Sequence, residues 1–125
     1  MKRIISLIVV GLAMVSAAVA EEAYPGPHEA GPNIYHLLSD NEHVRVSEIK
    51  FNPGDSIPMH HHSYGHSLYI LEGGQLTISK PDGSSSVVDA KAGDVMWMGI
   101  EDHSAVNTGT TTLRAVITEV KSATA

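Results

Sequence analysis

The chain contains no cysteine, one phenylalanine, one tryptophan and only eight basic residues among its 125 residues. Without cysteine it forms no disulfide bond, offers no thiolate to a metal and has no cysteine nucleophile. Fourteen acidic residues give a formal net charge of −6, which argues against nucleic acid as a partner. After residue 20, no apolar run reaches the roughly 20 residues that a membrane span needs. Stability must therefore come from a packed core, from bound metal or from an oligomer interface.

The first twenty residues have the pattern of a secretory signal peptide. Lys2 and Arg3 precede an apolar run over residues 4–19, which ends in the small residues 18–20 before an acidic pair. This pattern predicts cleavage after Ala20 and an exported protein, periplasmic or secreted. Removing 20 of the 125 residues leaves 105, enough for one domain. The loss of two basic residues leaves six against fourteen acidic ones, a formal charge of −8.

The rest of the sequence is a series of short β-type runs separated by turn residues, with no helical period of useful length. Prolines and glycines predict an extended N-terminal arm without helix over residues 21–33. Nine strands are predicted beyond it, at 34–38, 43–51, 57–62, 67–72, 75–80, 85–89, 94–98, 104–107 and 111–120. Many short strands at regular spacing predict an all-β sandwich or barrel, here a single domain over residues 34–121.

Four of the eight histidines form the most informative pattern. His60 and His62 alternate along a predicted strand and share a face, whereas His61 points to the other side. His66 follows after a short turn, and His103 follows a second strand and turn. Because imidazole is a common metal ligand, the pattern predicts a transition-metal site made of these four residues. A solvated histidine cluster is the alternative, but the flanking segments are strand-like.

The histidines and the glycines around them resemble the first sequence motif of the cupin family. The matching residues, in order and at the usual spacing, are Gly54, His60, His62, His66 and Gly73. The departure is His66, which stands where the family usually has glutamate. The resemblance therefore implies a metal site in which a neutral imidazole replaces a carboxylate.

Residues 93–107 resemble the second cupin motif, with three departures. The matching residues are Gly93, His103 and Asn107. Gly99 stands where proline is usual, Glu101 stands where glycine is usual, and the gap to His103 is one residue short. The resemblance implies an all-β double-stranded β-helix, the cupin jelly-roll barrel, in which His103 completes the metal site from a facing strand.

Ligation by four imidazoles has chemical consequences. It leaves a divalent ion with its full double positive charge, which favours an anionic or chelating small molecule as ligand or substrate. All-nitrogen ligation suits iron, copper, nickel, zinc, cobalt or manganese, and the sequence does not choose among them. An octahedral ion would keep two adjacent open positions, whereas a tetrahedral ion would be saturated and structural. The sequence thus favours a metal-dependent oxidoreductase of dioxygenase type and leaves open a non-catalytic protein that binds metal or a small ligand.

Three further residues have candidate roles at such a site. Tyr64 is a candidate for catalysis through a hydrogen bond to an oxygen ligand of the ion. Glu101 is the other candidate, as an acceptor that orients His103 or as a proton relay, with a solvated turn as the alternative. Arg45 could bind a substrate carboxylate, although an outward position on its strand is favoured.

Most of the remaining candidates are predicted to be structural. Packing in the core is predicted for Met59, Met96, Trp97 and Met98. Surface positions are predicted for three further histidines, His28, His36 and His43. Asn107 is predicted to end a strand in a turn.

Tyr69 and Leu71 lie opposite His66 on their strand, so the outer face of this strand is also apolar. A homodimer is predicted to cover that face.

Overall fold

The structure is a computed structural model that describes Gly11 and residues 24–123. The predicted signal peptide over residues 1–20, apart from Gly11, lies outside the described residues, and its cleavage stays a prediction. Within the described part of the chain, no helix is both long enough and apolar enough to cross a membrane.

One helical turn and nine strands make up the regular structure of the described residues. They are α1 (Pro27–Ala30), β1 (Tyr35–Asp40), β2 (Val44–Phe51), β3 (Ser56–His62), β4 (His66–Glu72), β5 (Gly74–Ser79), β6 (Ser85–Ala90), β7 (Val95–Met98), β8 (Glu101–Asn107) and β9 (Leu113–Val120). Each strand corresponds to one predicted run, so the all-β prediction is confirmed. Strand β8 begins three residues earlier than predicted, which places Glu101 and Asp102 in a strand instead of a turn.

The strands form two antiparallel sheets that enclose the core. Their orders are β1-β2-β9-β4-β7 and β3-β8-β5-β6. Strict alternation on β9 buries Leu113, Ala115 and Ile117, whose side chains meet those of the other sheet. Each fully buried leucine or isoleucine contributes roughly 1.5–3 kcal/mol relative to an exposed one. The arrangement is the double-stranded β-helix that the two motifs implied.

A β-bulge in β3 sets which residues of that strand face inward. The pairing of β3 with β8 shifts register between Ile57 and His60, and both of these residues are buried although they lie three positions apart. The extra residue reverses the alternation. Pro58, which alternation alone predicts to face inward with the histidines, is therefore exposed.

The segment before β1 contains the short helix α1, so the prediction that it holds no helix is wrong for four residues. Proline at the first helical position is compatible with a helix, because its missing N–H has no partner there. The Pro25 carbonyl accepts a hydrogen bond of 2.8 Å from the His61 backbone N–H. Gly31 lies so close to Ile57 that an added Cβ would be 2.5 Å from its Cδ1. The segment thus packs against β3 beside the histidines.

Strand β7 has a buried face and an exposed face. Met96 and Met98 pack against the core, as predicted, while Val95 and Trp97 are 69% and 56% exposed. The prediction that Trp97 lies in the core is wrong, because alternation in a four-residue edge strand sends it to the outside.

Candidate metal centre

Two neighbouring strands bring three histidines together at one end of the barrel. His60 and His62 share the inward face of β3, and His103 on the adjacent strand β8 pairs directly with His60. All three are buried, with exposures of 1%, 1% and 6%. The prediction that His61 points the other way is confirmed, since its ring contacts Asp102 on the outer face, with Nδ1 and Oδ1 2.7 Å apart.

The Nε2 atoms of these three histidines converge. The Nε2 of His62 lies 3.0 Å from the Nε2 of His60 and 3.0 Å from that of His103. Two nitrogens bound about 2.1 Å from one ion at right angles would be about 3 Å apart. The three residues form a group whose ligand atoms all lie within 4.8 Å of one another. The spacing fits a single transition-metal ion.

Hydrogen bonding among the imidazoles does not account for this convergence. The Nδ1 of His60 lies 2.9 Å from the Pro58 carbonyl oxygen and donates its proton there, so the Nε2 of His60 carries a lone pair. A neutral His62 has at most one N–H at Nε2, which satisfies one of its two 3.0 Å contacts. A cation that accepts three lone pairs satisfies all of the contacts at once, so the donor set fits a metal.

The burial of the site keeps the histidines neutral and able to bind a cation. Burial lowers the pKa of His103 to about 3, with repulsion from neighbouring imidazoles as the smaller cause. Burial also lowers the pKa of His60 and, to a greater extent, that of His62. Neutral imidazole is the form that binds a metal. At neutral pH each of these three rings is therefore neutral and keeps one nitrogen lone pair that can bind a cation.

His66 lies beside this group but is not part of it. It is 1% exposed, and its ring stacks on that of His62 with the centroids 4.3 Å apart and an interplanar angle of 23°. Its Nδ1 donates to the Tyr64 carbonyl oxygen over 2.9 Å, which leaves a lone pair on Nε2. The ring thus has the tautomer of a ligand, and its coordination stays a prediction.

The two candidates for catalysis differ in their surroundings. Glu101 faces inward on β8, and its Oε1 lies 3.3 Å from the Nδ1 of His103. Both of these atoms are buried and have no hydrogen-bond partner among the described residues. Burial raises the pKa of the Glu101 carboxyl. Tyr64 contributes its backbone carbonyl to His66. Neither the Tyr64 nor the Glu101 side chain is among those that line the cavity beside the histidines.

A cavity of about 40 Å³ lies between the histidines and the apolar core. Its walls include the four histidines together with Tyr35, Met98 and aliphatic core residues. At roughly 10–15 Å³ per water molecule, this volume holds about three waters. Dioxygen or the reacting end of a ligand fits inside, and the rest of a larger molecule would have to lie at the mouth.

A partly buried ion pair lies at the same end of the barrel, and the sequence pattern did not predict it. Arg45 points inward, contrary to prediction, and donates through Nε and Nη2 to the two carboxylate oxygens of Glu119 over 2.5 and 2.9 Å. Glu119 is fully buried and pairs with His66 across the sheet. Alternation on β9 is the signal that could have placed Glu119 inside, because it is in phase with Ile117.

His28 also differs from its predicted surface position. It is partly buried in α1, where its Nε2 lies 2.7 Å from the Ser47 hydroxyl and its ring contacts that of Tyr35. His36 and His43 are exposed, as predicted. Asn107 ends β8, as predicted, and its amide holds the turn through the carbonyls of Phe51 and Thr111.

Comparison with known proteins identifies the family. A profile of the cupin domain matches residues 47–119, more than half of the chain. The chain belongs to the cupin family. A comparison with curated proteins finds no match. A cupin domain protein from Bordetella pertussis Tohama I is 27% identical, with 79% of this chain and 97% of that chain covered and a TM-score of 0.66.

Two other solved structures share the fold of this cupin. An RmlC-like cupin from Methanocaldococcus jannaschii is 20% identical over 81% of this chain and 91% of that chain, with a TM-score of 0.58. The polyketide cyclase RemF from Streptomyces resistomycificus is 24% identical over 71% of this chain and 65% of that chain, with a TM-score of 0.55. At these identities the likeness concerns the fold alone.

Proposed function

We propose that this cupin is an exported metal-dependent oxidoreductase of dioxygenase type that acts on a small anionic or chelating molecule. The convergence of three buried, neutral Nε2 atoms at 3.0 Å spacing carries the proposal, because it is a donor set for a divalent transition ion. When bound, such an ion supplies Lewis acidity and open positions for small ligands. Membership of the cupin family supports metal binding more strongly than any one reaction, since a fold does not determine a function.

His66 is the proposed fourth ligand. Its Nδ1–H is bound by the Tyr64 carbonyl, so the nitrogen with the lone pair is Nε2, as it is in His60. Its ring contacts that of His62, and it is buried at the same end of the barrel. With four neutral imidazoles the ion would keep its double positive charge, which is the reason for expecting an anionic or chelating substrate.

The cavity limits what can reach the ion from inside the barrel. Its volume of about 40 Å³ and its aliphatic wall suit dioxygen or the end of a small molecule. Tyr64 and Glu101 remain the proposed groups for hydrogen bonding or proton transfer to the substrate. The Glu101 side chain lies beside His103 and is 25% exposed, and neither it nor the Tyr64 side chain lines the cavity.

The size of the cavity also favours a second candidate, a non-catalytic protein that holds a metal or captures a small ligand. A cavity of about 40 Å³ has little room for a substrate of ordinary size. If the ion took four imidazoles in a tetrahedral arrangement, it would have no position left for chemistry.

Metal analysis combined with dioxygen uptake tests the proposed function. Protein purified from its native compartment is expected to contain about one transition-metal ion per chain. We expect this protein, and not the chelator-treated protein, to consume dioxygen with at least one member of a panel of small carboxylates and diketones. Bound metal without any uptake across the panel would favour the non-catalytic candidate. Metal-free native protein would contradict the proposed oxidoreductase and any metal-holding role, and would leave only the capture of a small ligand.

A homodimer is the proposed assembly, and it would cover an apolar patch on the outer face of the larger sheet. Tyr69 and Val95 pair across β4 and β7, and Trp97 follows Val95 at the exposed edge of this sheet. Strand β7 has no charge or proline that would protect such an edge. The exposed side chains of these residues form the patch that the second chain would cover.

Static light scattering checks the assembly. Wild-type protein is expected to have the mass of two chains, and Trp97→Asp that of one, because a carboxylate would be buried in the contact. Val87→Asp is the matched control, since Val87 is exposed to a similar extent, 59% against 56% for Trp97, but lies on β6 in the other sheet. A wild-type mass of one chain, or dissociation of the Val87 variant alone, would contradict the proposed surface.

A further inference from the structure

Glu101 and His103 present two buried polar atoms to each other. The Oε1 of Glu101 and the Nδ1 of His103 are 3.3 Å apart, and neither has a hydrogen-bond partner among the described residues. A buried polar atom without a partner costs about 1–3 kcal/mol, so two that face each other call for an explanation. A small turn of either side chain would join them in a hydrogen bond.

We propose that Glu101 is a positioning residue, whose carboxylate accepts a hydrogen bond from the Nδ1–H of His103 and directs the Nε2 lone pair of that ring at the metal. The inference rests on the proposed metal site. Metal-bound histidines usually donate their other N–H to an acceptor, which fixes the tautomer and the ring orientation and raises the basicity of the ligand.

The acceptors of the neighbouring rings show what is particular to His103. The Nδ1 atoms of His60 and His66 donate to backbone carbonyls, those of Pro58 and Tyr64. His103 faces a carboxylate, and a hydrogen bond to a charged acceptor is roughly twice as strong as one to a neutral acceptor. Glu101 thus contributes orientation and also negative charge to a site whose proposed ligands are neutral.

The other nearby carboxylates are already engaged. Asp102 follows Glu101 directly but lies on the outer face, where it contacts the ring of His61. Glu119 is bound by both nitrogens of the Arg45 fork. Glu101 is therefore the carboxylate that the geometry assigns to the metal centre. It stands where the second cupin motif usually has glycine, so this role belongs to the chain's departure from the motif.

Titration of the metal-free protein with Co²⁺ at constant pH and ionic strength tests the role of Glu101. Glu101→Gln keeps the shape of the side chain but removes its charge, and it is expected to weaken Co²⁺ binding by about 10-fold or more, as is usual when a group that holds a ligand is changed. Asp102→Asn is the matched control and is expected to bind Co²⁺ like the wild type. Thermal unfolding of the metal-free variants checks that both of them fold.

Proton NMR of the Co²⁺-loaded protein separates positioning from a general structural effect. The exchangeable Nδ1–H of His103 is expected to give a paramagnetically shifted signal that exchanges slowly with water in wild-type protein. The signal should exchange faster in Glu101→Gln. Glu101→Asp keeps the charge at a greater distance and should restore part of the affinity; it also serves as the test if the glutamine variant does not fold.

The outcomes separate this inference from the proposed function. Wild-type protein that binds Co²⁺ together with a Glu101→Gln variant of equal affinity and unchanged N–H exchange would overturn the role of Glu101 alone. An equal loss of affinity in Asp102→Asn would also overturn it, because the effect would then be one of general charge. Wild-type protein that binds no Co²⁺ would overturn the metal site itself and this inference with it.

Discussion

Replacing His62 with alanine is expected to abolish tight metal binding, while replacing the adjacent His61 leaves it intact. The Nε2 of His62 lies 3.0 Å from those of both His60 and His103, so this residue is central to the three-histidine group. His61 faces the opposite side of the strand and contacts Asp102. Changing a group that hydrogen-bonds to a metal ligand usually lowers metal affinity by roughly 10–100-fold. Removing the ligand itself should lower the affinity by more than that.

The comparison requires metal-free His62→Ala and His61→Ala proteins titrated with the same divalent ion. Each substitution removes one imidazole, and the two positions are neighbours on β3. Any general effect of losing a histidine from this strand therefore appears in both variants and cancels in the comparison. A His61 variant that lost the metal, or a His62 variant that kept it with wild-type affinity, would show that the ion binds elsewhere.

His66→Glu is expected to keep the metal bound and to lower activity by an order of magnitude or more. A carboxylate is a competent ligand, so affinity for the ion should persist. It also brings one negative charge to the site, which lowers the net charge and the Lewis acidity of the ion. Even a change in a group that hydrogen-bonds to a ligand lowers activity by about 10-fold, and a change in the ligand itself should lower activity at least as much.

Azide binding to the Co²⁺-loaded protein provides a readout that needs no identified substrate. The visible spectrum of Co²⁺ should change with azide in wild-type protein. The apparent azide affinity should fall about 10-fold or more in His66→Glu, because a less positive metal centre attracts the anion less strongly. Asp102→Asn is the control, since it changes charge nearby on the outer face. Azide affinity that does not change in His66→Glu would indicate that His66 is not a ligand.

The sequence predicted the strands well because alternation and turn residues are local signals. It failed where a single residue changes the phase of a strand. The bulge between Ile57 and His60 exposes Pro58, and the early start of β8 turns Glu101 into an inward-facing residue. Trp97 was misplaced because composition shows that a strand is apolar and does not show which of its faces the other sheet covers.

The candidate site was predictable in part, because alternation and motif spacing are local signals. Alternation puts His60 and His62 on one face, and the motif spacing leads to His103, so three of the residues could be named before the fold was known. Arg45 and Glu119 lie 74 residues apart, and no local pattern shows that they pair. Ring orientation is set by packing, which is why the stacking of His66 on His62 could not be foreseen.

X-ray absorption at the K-edge of the ion bound to wild-type protein tests the central claim most directly. Four imidazole ligands are predicted, with nitrogen atoms at about 2.0–2.1 Å and the multiple scattering of imidazole rings, together with one or two further oxygen ligands at the open positions. Carboxylate ligation in place of an imidazole, or three or fewer imidazole ligands, would contradict the account.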